Sequence, residues 1–244
     1  MFRHIGKSRN LKQNLGIASL LAFVAGIVNV VGFLSVQELT TNVTGHFAFM
    51  IEEATKVNLM QSLFYFIYIV FFFLGAFFSN FILEITSKIT DKYIYIIPVL
   101  TEALILTGIA LLSIEVVLNN SNLIACMLLF AMGLQNSLVT TISNSVVRTT
   151  HLTGLFTDLG IEVSQLFFYK SSDQKLKLVS SIQLRLTIIT TFFAGGILAG
   201  LLFSTFKMQT LLVAALTLLL GLIIDYFMIK MKLKSRKHSS LKSA

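Results

Sequence analysis

Thr40-Thr41-Asn42-Val43-Thr44-Gly45-His46-Phe47, running on to Glu53, and Thr149-Thr150-His151-Leu152-Thr153-Gly154-Leu155-Phe156, running on to Glu162, are one stretch written twice. They align without a gap, and six of the 14 positions are identical: both leading threonines, the Thr-Gly pair, the Phe and the closing Glu. The likeness extends outward. Upstream, Gly26-Ile27-Val28-Asn29 parallels Gly133-Leu134-Gln135-Asn136; downstream, Phe72-Phe73-Leu74-Gly75-Ala76 parallels Phe192-Phe193-Ala194-Gly195-Gly196. One short match arises by chance in an apolar chain. Three in register point to duplication of a whole unit: a helix carrying Gly-x-x-Asn, a Thr-Gly segment, a helix with a small-residue patch, and a third helix.

The 244 residues around this unit are 55% hydrophobic and 12% charged, with mean hydropathy +0.84. Soluble domains carry about 25% charged residues. The composition excludes a soluble globular domain, a disordered tail and a nucleic-acid-binding module. It describes a single membrane domain over 1–244, with repeats of about 15–118 and 122–229 between basic tails 1–14 and 230–244. The single cysteine, Cys126, rules out an internal disulfide, and His4, His46, His151 and His238 show no ligand spacing, so no metal or cofactor is expected. With no Trp, interfacial anchoring falls to tyrosines such as Tyr93, Tyr95 and Tyr226.

A membrane crossing needs about 20 mainly apolar residues. Six segments supply them, roughly 15–36, 59–84, 93–118, 122–142, 186–206 and 208–229. The Thr-Gly segments, 40–57 and 149–169, lie between these and carry acids, Glu52 and Glu53 in one, Asp158 and Glu162 in the other. On a six-span plan with both termini cytoplasmic, 17 of the 19 Lys and Arg fall inside, leaving only Lys56 and Lys207 outside. An eight-span plan, with both Thr-Gly segments crossing, gives 15 inside and 4 outside. The positive-inside bias therefore favours six spans and puts both termini in the cytoplasm on either plan. Three spans per half is an odd number, so the second half is inverted, and its Thr-Gly segment enters from the opposite side. Inverted repeats with interrupted helices meeting near the midplane recur in transporters. The expected fold is an all-α polytopic membrane bundle: six spans in two inverted three-helix repeats, each with an extra, re-entrant Thr-Gly segment.

Four stretches carry a family resemblance: Ala25-Gly26-Ile27-Val28-Asn29-Val30-Val31-Gly32-Phe33-Leu34, Asn42-Val43-Thr44-Gly45-His46, Met132-Gly133-Leu134-Gln135-Asn136, and Thr149 through Leu159. At these residues, and over roughly 15–230, the chain resembles the YoaK family of uncharacterised bacterial multi-pass inner-membrane proteins. Members usually have Asp where this chain has Asn29, and Thr-Gly-Asn where it has Thr44-Gly45-His46. The resemblance implies a bacterial inner-membrane location and an approximate span count. It implies no substrate, so function rests on the residues.

On a helix, Thr150, Thr153 and Thr157 share one face, and Thr41 and Thr44 begin the same stripe in the first half. Gly45 and Gly154, directly after a threonine, permit a break or close backbone approach. A broken helix exposes N–H groups suited to an anion or a substrate carboxylate; the bland alternative is a hydroxyl bonded to its own helix and a glycine used for packing. Asn29, Gln135 and Asn136 read either as the lining of a polar site or as amide glue between helices. Among the acids, Glu53 and Glu162 are equivalent, Asp158 lies one turn before Glu162, and Glu102 sits mid-helix, where an acid costs about 2.5–3.5 kcal/mol on insertion scales. These four are candidates for proton or ion coupling, Glu102 alternatively being a hydrogen-bond anchor. Glu84, Glu115 and Asp225 lie near helix ends and read as solvated. Gly75, Ser79, Gly195, Gly196, Ala199 and Gly200 read as packing surfaces, and the Phe runs at 71–73, 77–78 and 192–193 as lipid-facing or core filler.

The pattern favours a small secondary transporter or exporter of a small polar or anionic solute. A scaffold or partner subunit is the alternative. An intramembrane enzyme ranks last, since no His-Glu-x-x-His or Gly-x-Ser-x-Gly pattern is present. The expected partners are the bilayer, such a solute, and anionic lipid headgroups at the basic Lys230–Lys242 tail.

Overall fold

A computed structural model of the chain describes residues 9–88, 94–169 and 171–242, with side chains up to Met231 apart from position 229. Arg3, His4, Lys7, Lys92, Tyr93, Lys170 and the basic side chains beyond Lys230 lie outside the described residues. Among the described residues there is no strand. The helices are α1 (Leu11–Val36), α2 (Val43–Thr55), α3 (Leu59–Ser87), α4 (Ile96–Ala110), α5 (Ile114–Asn119), α6 (Ser121–Ser143), α7 (Leu152–Gln165), α8 (Ser172–Phe206) and α9 (Leu211–Lys242), with a 3-10 turn at Lys207–Thr210 joining the last two.

Four helical stretches are long and apolar enough to cross a membrane: 11–36, 59–87, 121–143 and 172–228, the last interrupted by the 3-10 turn; Ile96–Ala110 is apolar but shorter. Large apolar side chains cover the outside, among them Phe66, Phe73, Phe77 and Phe81 on α3 and Leu216, Leu220 and Ile224 on α9. A soluble monomer does not expose apolar surface on this scale. The chain is an integral, multi-pass membrane protein.

Local chemistry sets the helix ends. Asn10 opens α1 with a capping box, accepting from the Gln13 amide while the Gln13 side chain accepts from its own. Asn42 and Asn58 cap α2 and α3. The expected 93–118 span stops early: the helix ends at Ala110, and Ser113 caps a new short helix from Ile114. α8 starts well before the expected 186, because the polar residues from Ser172 onward form an exposed helical extension. Neither α1 nor α6 ends on glycine. Gln37 (φ 60°) closes the first; Asn144 (φ 54°) and Ser145 (φ 62°) close the second, with the Ser145 amide bonded to the Thr140 carbonyl at 2.8 Å.

The bundle is built crosswise. α1 packs most heavily against α8, and α3 against α6. Four glycines make these contacts. A Cβ on Gly26 would lie 2.0 Å from the Phe192 carbonyl oxygen, and one on Gly195 2.1 Å from that of Phe23. In the other pair, a Cβ on Gly133 would lie 2.1 Å from the Phe72 carbonyl oxygen, and one on Gly75 2.0 Å from that of Phe130. In both pairs backbone meets backbone, which only glycine permits. Every one of these residues has its counterpart at the equivalent position of the other half, so the duplicated stretches make duplicated contacts.

Two expectations fail at one point. Asp225 is 1% exposed rather than solvated, and Tyr95 is buried rather than interfacial, because the Tyr95 hydroxyl donates to the Asp225 carboxylate across 130 residues of sequence. α4 and α9 run together and bring the two side chains into the same buried place.

Candidate functional site

Each Thr-Gly segment begins by turning back on its own preceding helix. Past Gln37 the chain returns until the Thr40 hydroxyl donates to the Val28 carbonyl (3.2 Å) and Thr41 to the Asn29 side-chain oxygen (2.7 Å). In the second half Gln135 donates to the Thr149 hydroxyl (3.2 Å), and Thr150 donates to the Asn136 side-chain oxygen (2.9 Å). Each amide thus fixes its loop about two turns back along the helix, and α2 and α7 start from that level.

The two segments meet on one cavity of about 740 Å³. From the first half Asn29, Thr41, Thr44 and Gly45 line it; from the second, Thr150, His151 and Thr153 do. Phe72 and Phe192, equivalent positions in the matched stretches, line it as well. The wall sets threonine hydroxyls, the Asn29 and Asn42 amides and the His151 ring among apolar side chains such as Leu39, Val43 and Leu152, and no Asp, Glu, Lys or Arg lines it. The first turns of two helices also open onto it. Asn42 already caps α2, accepting from the Gly45 amide at 3.0 Å, whereas His151 gives α7 no side-chain cap. The first turn of α7 therefore keeps backbone donors without a side-chain acceptor, which favours a ligand with negative or electron-rich oxygen.

Not all the candidate residues gather here. Gln135 is fully buried and donates to the Leu21 carbonyl as well as to Thr149, so it pins the loop rather than lining the space. Asn136 acts on the cavity through Thr150. Gly154 packs under the His151 ring, and Thr157 is exposed one turn on, back-bonded to the Thr153 carbonyl. Glu102 is fully buried in α4 outside this lining, and neither of its oxygens has a hydrogen-bond partner among the described residues. Sequence reasoning passed over Phe72, Phe192 and His151 as lining. The signal for the first two was present: both stand in the matched Phe-x-x-Gly stretches.

His151 also lines a second cavity of about 370 Å³, together with Arg148, Asp158, Ser181 and Arg185. There the acids of α7 are held by α8. Arg185 grips Glu162 with two bonds of 2.8 Å and pairs with Asp158 at 3.0 Å, and Ser181 donates to Glu162 at 2.6 Å. Burial alone would raise the Glu162 carboxyl, but the Arg185 and Ser181 bonds outweigh it and hold it below its ordinary value. The tie is therefore intact at and above the ordinary carboxylate range, and gives way only as pH falls through the lowered value. Glu53, the equivalent acid of the first half, has no such cross-helix tie: it bonds Lys56 and Asn58 at the exposed α2–α3 turn. Arg185→Met is expected to speed amide exchange across 152–165 about tenfold, the scale of one lost charge-assisted hydrogen bond at a partly exposed site. Hydrogen–deuterium exchange with mass spectrometry on protein in nanodiscs checks it.

Among the described residues no group of three or more His, Cys, Asp or Glu is arranged to hold a metal ion. Neither the curated proteins nor the solved structures give a match to this chain. A family model described as a protein of unknown function, DUF1275, matches residues 17–224, and with most of its length covered the chain belongs to the DUF1275 family.

Proposed function

We propose that the chain is a small secondary transporter or exporter of a small polar or anionic solute, with its site in the cavity between the two Thr-Gly segments. One observation carries this reading: two duplicated segments converge on one cavity, with equivalent threonines and the first turns of both short helices in its wall. The spans of this reading are α1, α3, α4, α6, α8 and α9, with both termini cytoplasmic. α2 then enters from outside and α7 from the cytoplasm, and neither crosses. The crosswise pairing of α1 with α8 and α3 with α6 supports two inverted halves, each half leaning on the other rather than on itself. Alternating access would then be a shift of one crossed pair against the other around a fixed central site. The Arg185–Glu162 tie is the inner latch of this scheme.

Topology tests the frame. In a Cys126→Ala background, single cysteines at Lys88 and Asn119 are to be challenged with an impermeant maleimide on intact cells. Labelling at 119 alone is expected. Labelling at 88 alone would establish eight spans, parallel halves and no alternating access of this kind. Flux tests the activity: proteoliposomes are loaded in turn with small carboxylates, amino acids and inorganic phosphate, and uptake by at least one class is expected.

A further inference from the structure

His46 is the least explained polar residue of the first half. It lies on α2 two residues past Thr44 and is fully buried. Its equivalent in the second half is Leu155, so the fold does not need an imidazole there. The ring stands against Tyr65 (5.9 Å between centroids, stacked) and Tyr68 (5.2 Å, edge-on), both from α3. One ring nitrogen, Nε2, is 2.7 Å from the Leu39 carbonyl. A carbonyl only accepts, so Nε2 must carry hydrogen. In the neutral ring that leaves Nδ1 as a bare acceptor. Nδ1 has no hydrogen-bond partner among the described residues, and Glu38 Oε2 lies 3.8 Å from it. A deprotonated carboxylate would set lone pair against lone pair in a buried place. One proton between them removes the conflict, whether it resides formally on Glu38 or on His46.

We infer that Glu38 and His46 together form a one-proton site that holds the α2 segment in its seated position. The pair joins the two parts of the segment: Glu38 lies in the loop that folds back on α1, and His46 lies in the helix whose first turn lines the cavity. The other groups facing the ring are the Tyr65 and Tyr68 phenols, and Glu52 and Glu53 act on Tyr65 from the far end of α2. Burial pushes the Glu38 carboxyl up to about 7 and the His46 imidazole down, so the pair exchanges its proton near neutrality. The sign follows. A carboxyl whose value is raised on seating stabilises the seated form fully below the ordinary 4.5, progressively less up to about 7, and not at all beyond. That the proton arrives from outside rests on the transporter reading; the site itself does not.

The test uses the full-length protein in nanodiscs, Cys126→Ala, with a reporter at Thr40→Cys. Thr40 is fully buried in the seated loop and reached only when the loop lifts. Reaction with a small thiosulfonate is measured from pH 5 to pH 9 and divided by the rate at exposed Leu59→Cys, which removes the thiol's own titration. The ratio is expected to climb at least about tenfold between pH 5 and pH 7 and to level off above. In Glu38→Gln the amide donates permanently to Nδ1, so the ratio is expected to stay low and flat. A rise that persists in Glu38→Gln, a ratio flat from pH 5 to pH 9 in the parent, or a rise lost in Glu102→Gln instead would overturn the inference. No solute is present, so the two readings fail separately. A pH step without flux for any solute class removes the transporter and leaves the proton site; flux without the step does the reverse.

Discussion

Gly133→Val removes most of the folded protein, while Gly108→Val leaves it nearly untouched. Around Gly133 a Cβ would meet the Phe72 carbonyl oxygen at 2.1 Å, its carbon at 3.0 Å and the Ala76 nitrogen at 3.1 Å. All three are backbone atoms of α3, so no side chain can rotate aside. The helices must part instead, forfeiting the close Cα–H···O contacts and the packing on either side. Overpacking a tight core costs about 1–3 kcal/mol where side chains can adjust; with rigid backbone opposite, the cost lies at or above the top of that range. Gly108, in contrast, has nothing within 4 Å. The same substitution at two helical glycines therefore separates close approach from generic helix effects. The measurement is the yield of monodisperse protein and its thermal midpoint in detergent. Equal loss in both variants would refute the close-approach account. Gly26, Gly75 and Gly195 should behave as Gly133 does.

The second large effect is on flux. Thr44→Val and Thr153→Val keep side-chain volume and delete one hydroxyl each from the cavity wall. A hydrogen bond to a charged ligand contributes about 1.5–3 kcal/mol. Each variant is thus expected to lose roughly tenfold to a hundredfold in uptake of whichever solute class the parent carries, with both proteins folded normally. Thr157→Val is the control. Its hydroxyl is spent on the Thr153 carbonyl and lies outside the lining, so its uptake should stay within about twofold of the parent. Radiotracer uptake in proteoliposomes reads all three. A loss at Thr157 equal to that at Thr153 would mean the stripe acts as a helix face rather than as a cavity wall.

The duplicated stretches made much of this legible in advance. Matching Thr41 to Thr150 and Asn29 to Asn136 singled out residues that bond as equivalent pairs in the two halves, because a repeated sequence repeats its local geometry. The small-residue patches announced helix contacts, although not which helix pairs with which: Gly26 meets Phe192 rather than a neighbour in its own half. What escaped the sequence is what depends on partners far along the chain. Asp225 read as solvated from its place near a helix end, yet Tyr95 covers it. Arg185 entered only as one positive charge among those that set orientation, whereas 23 residues separate it from the Glu162 it grips. His46 looked like an isolated histidine because Glu38 precedes it by eight positions, a spacing with no helical meaning once the chain reverses between them. The break after Ala110 was hidden by an unbroken apolar composition, since Leu111 and Leu112 are as hydrophobic as what they interrupt.

The crosswise pairing of helices also has a consequence for synthesis. The first helix leaves the ribosome with its principal partner still 169 residues behind, counting from Gly26 to Gly195. At about 5–20 residues per second, that interval is on the order of ten seconds or more. Throughout it, the notch at Gly26 faces lipid or the insertion machinery rather than the α8 backbone that fills it. Nascent chains of this protein therefore pass through a long stage in which an early helix is integrated but unmatched. Such a helix is held by whatever escorts it until α8 arrives.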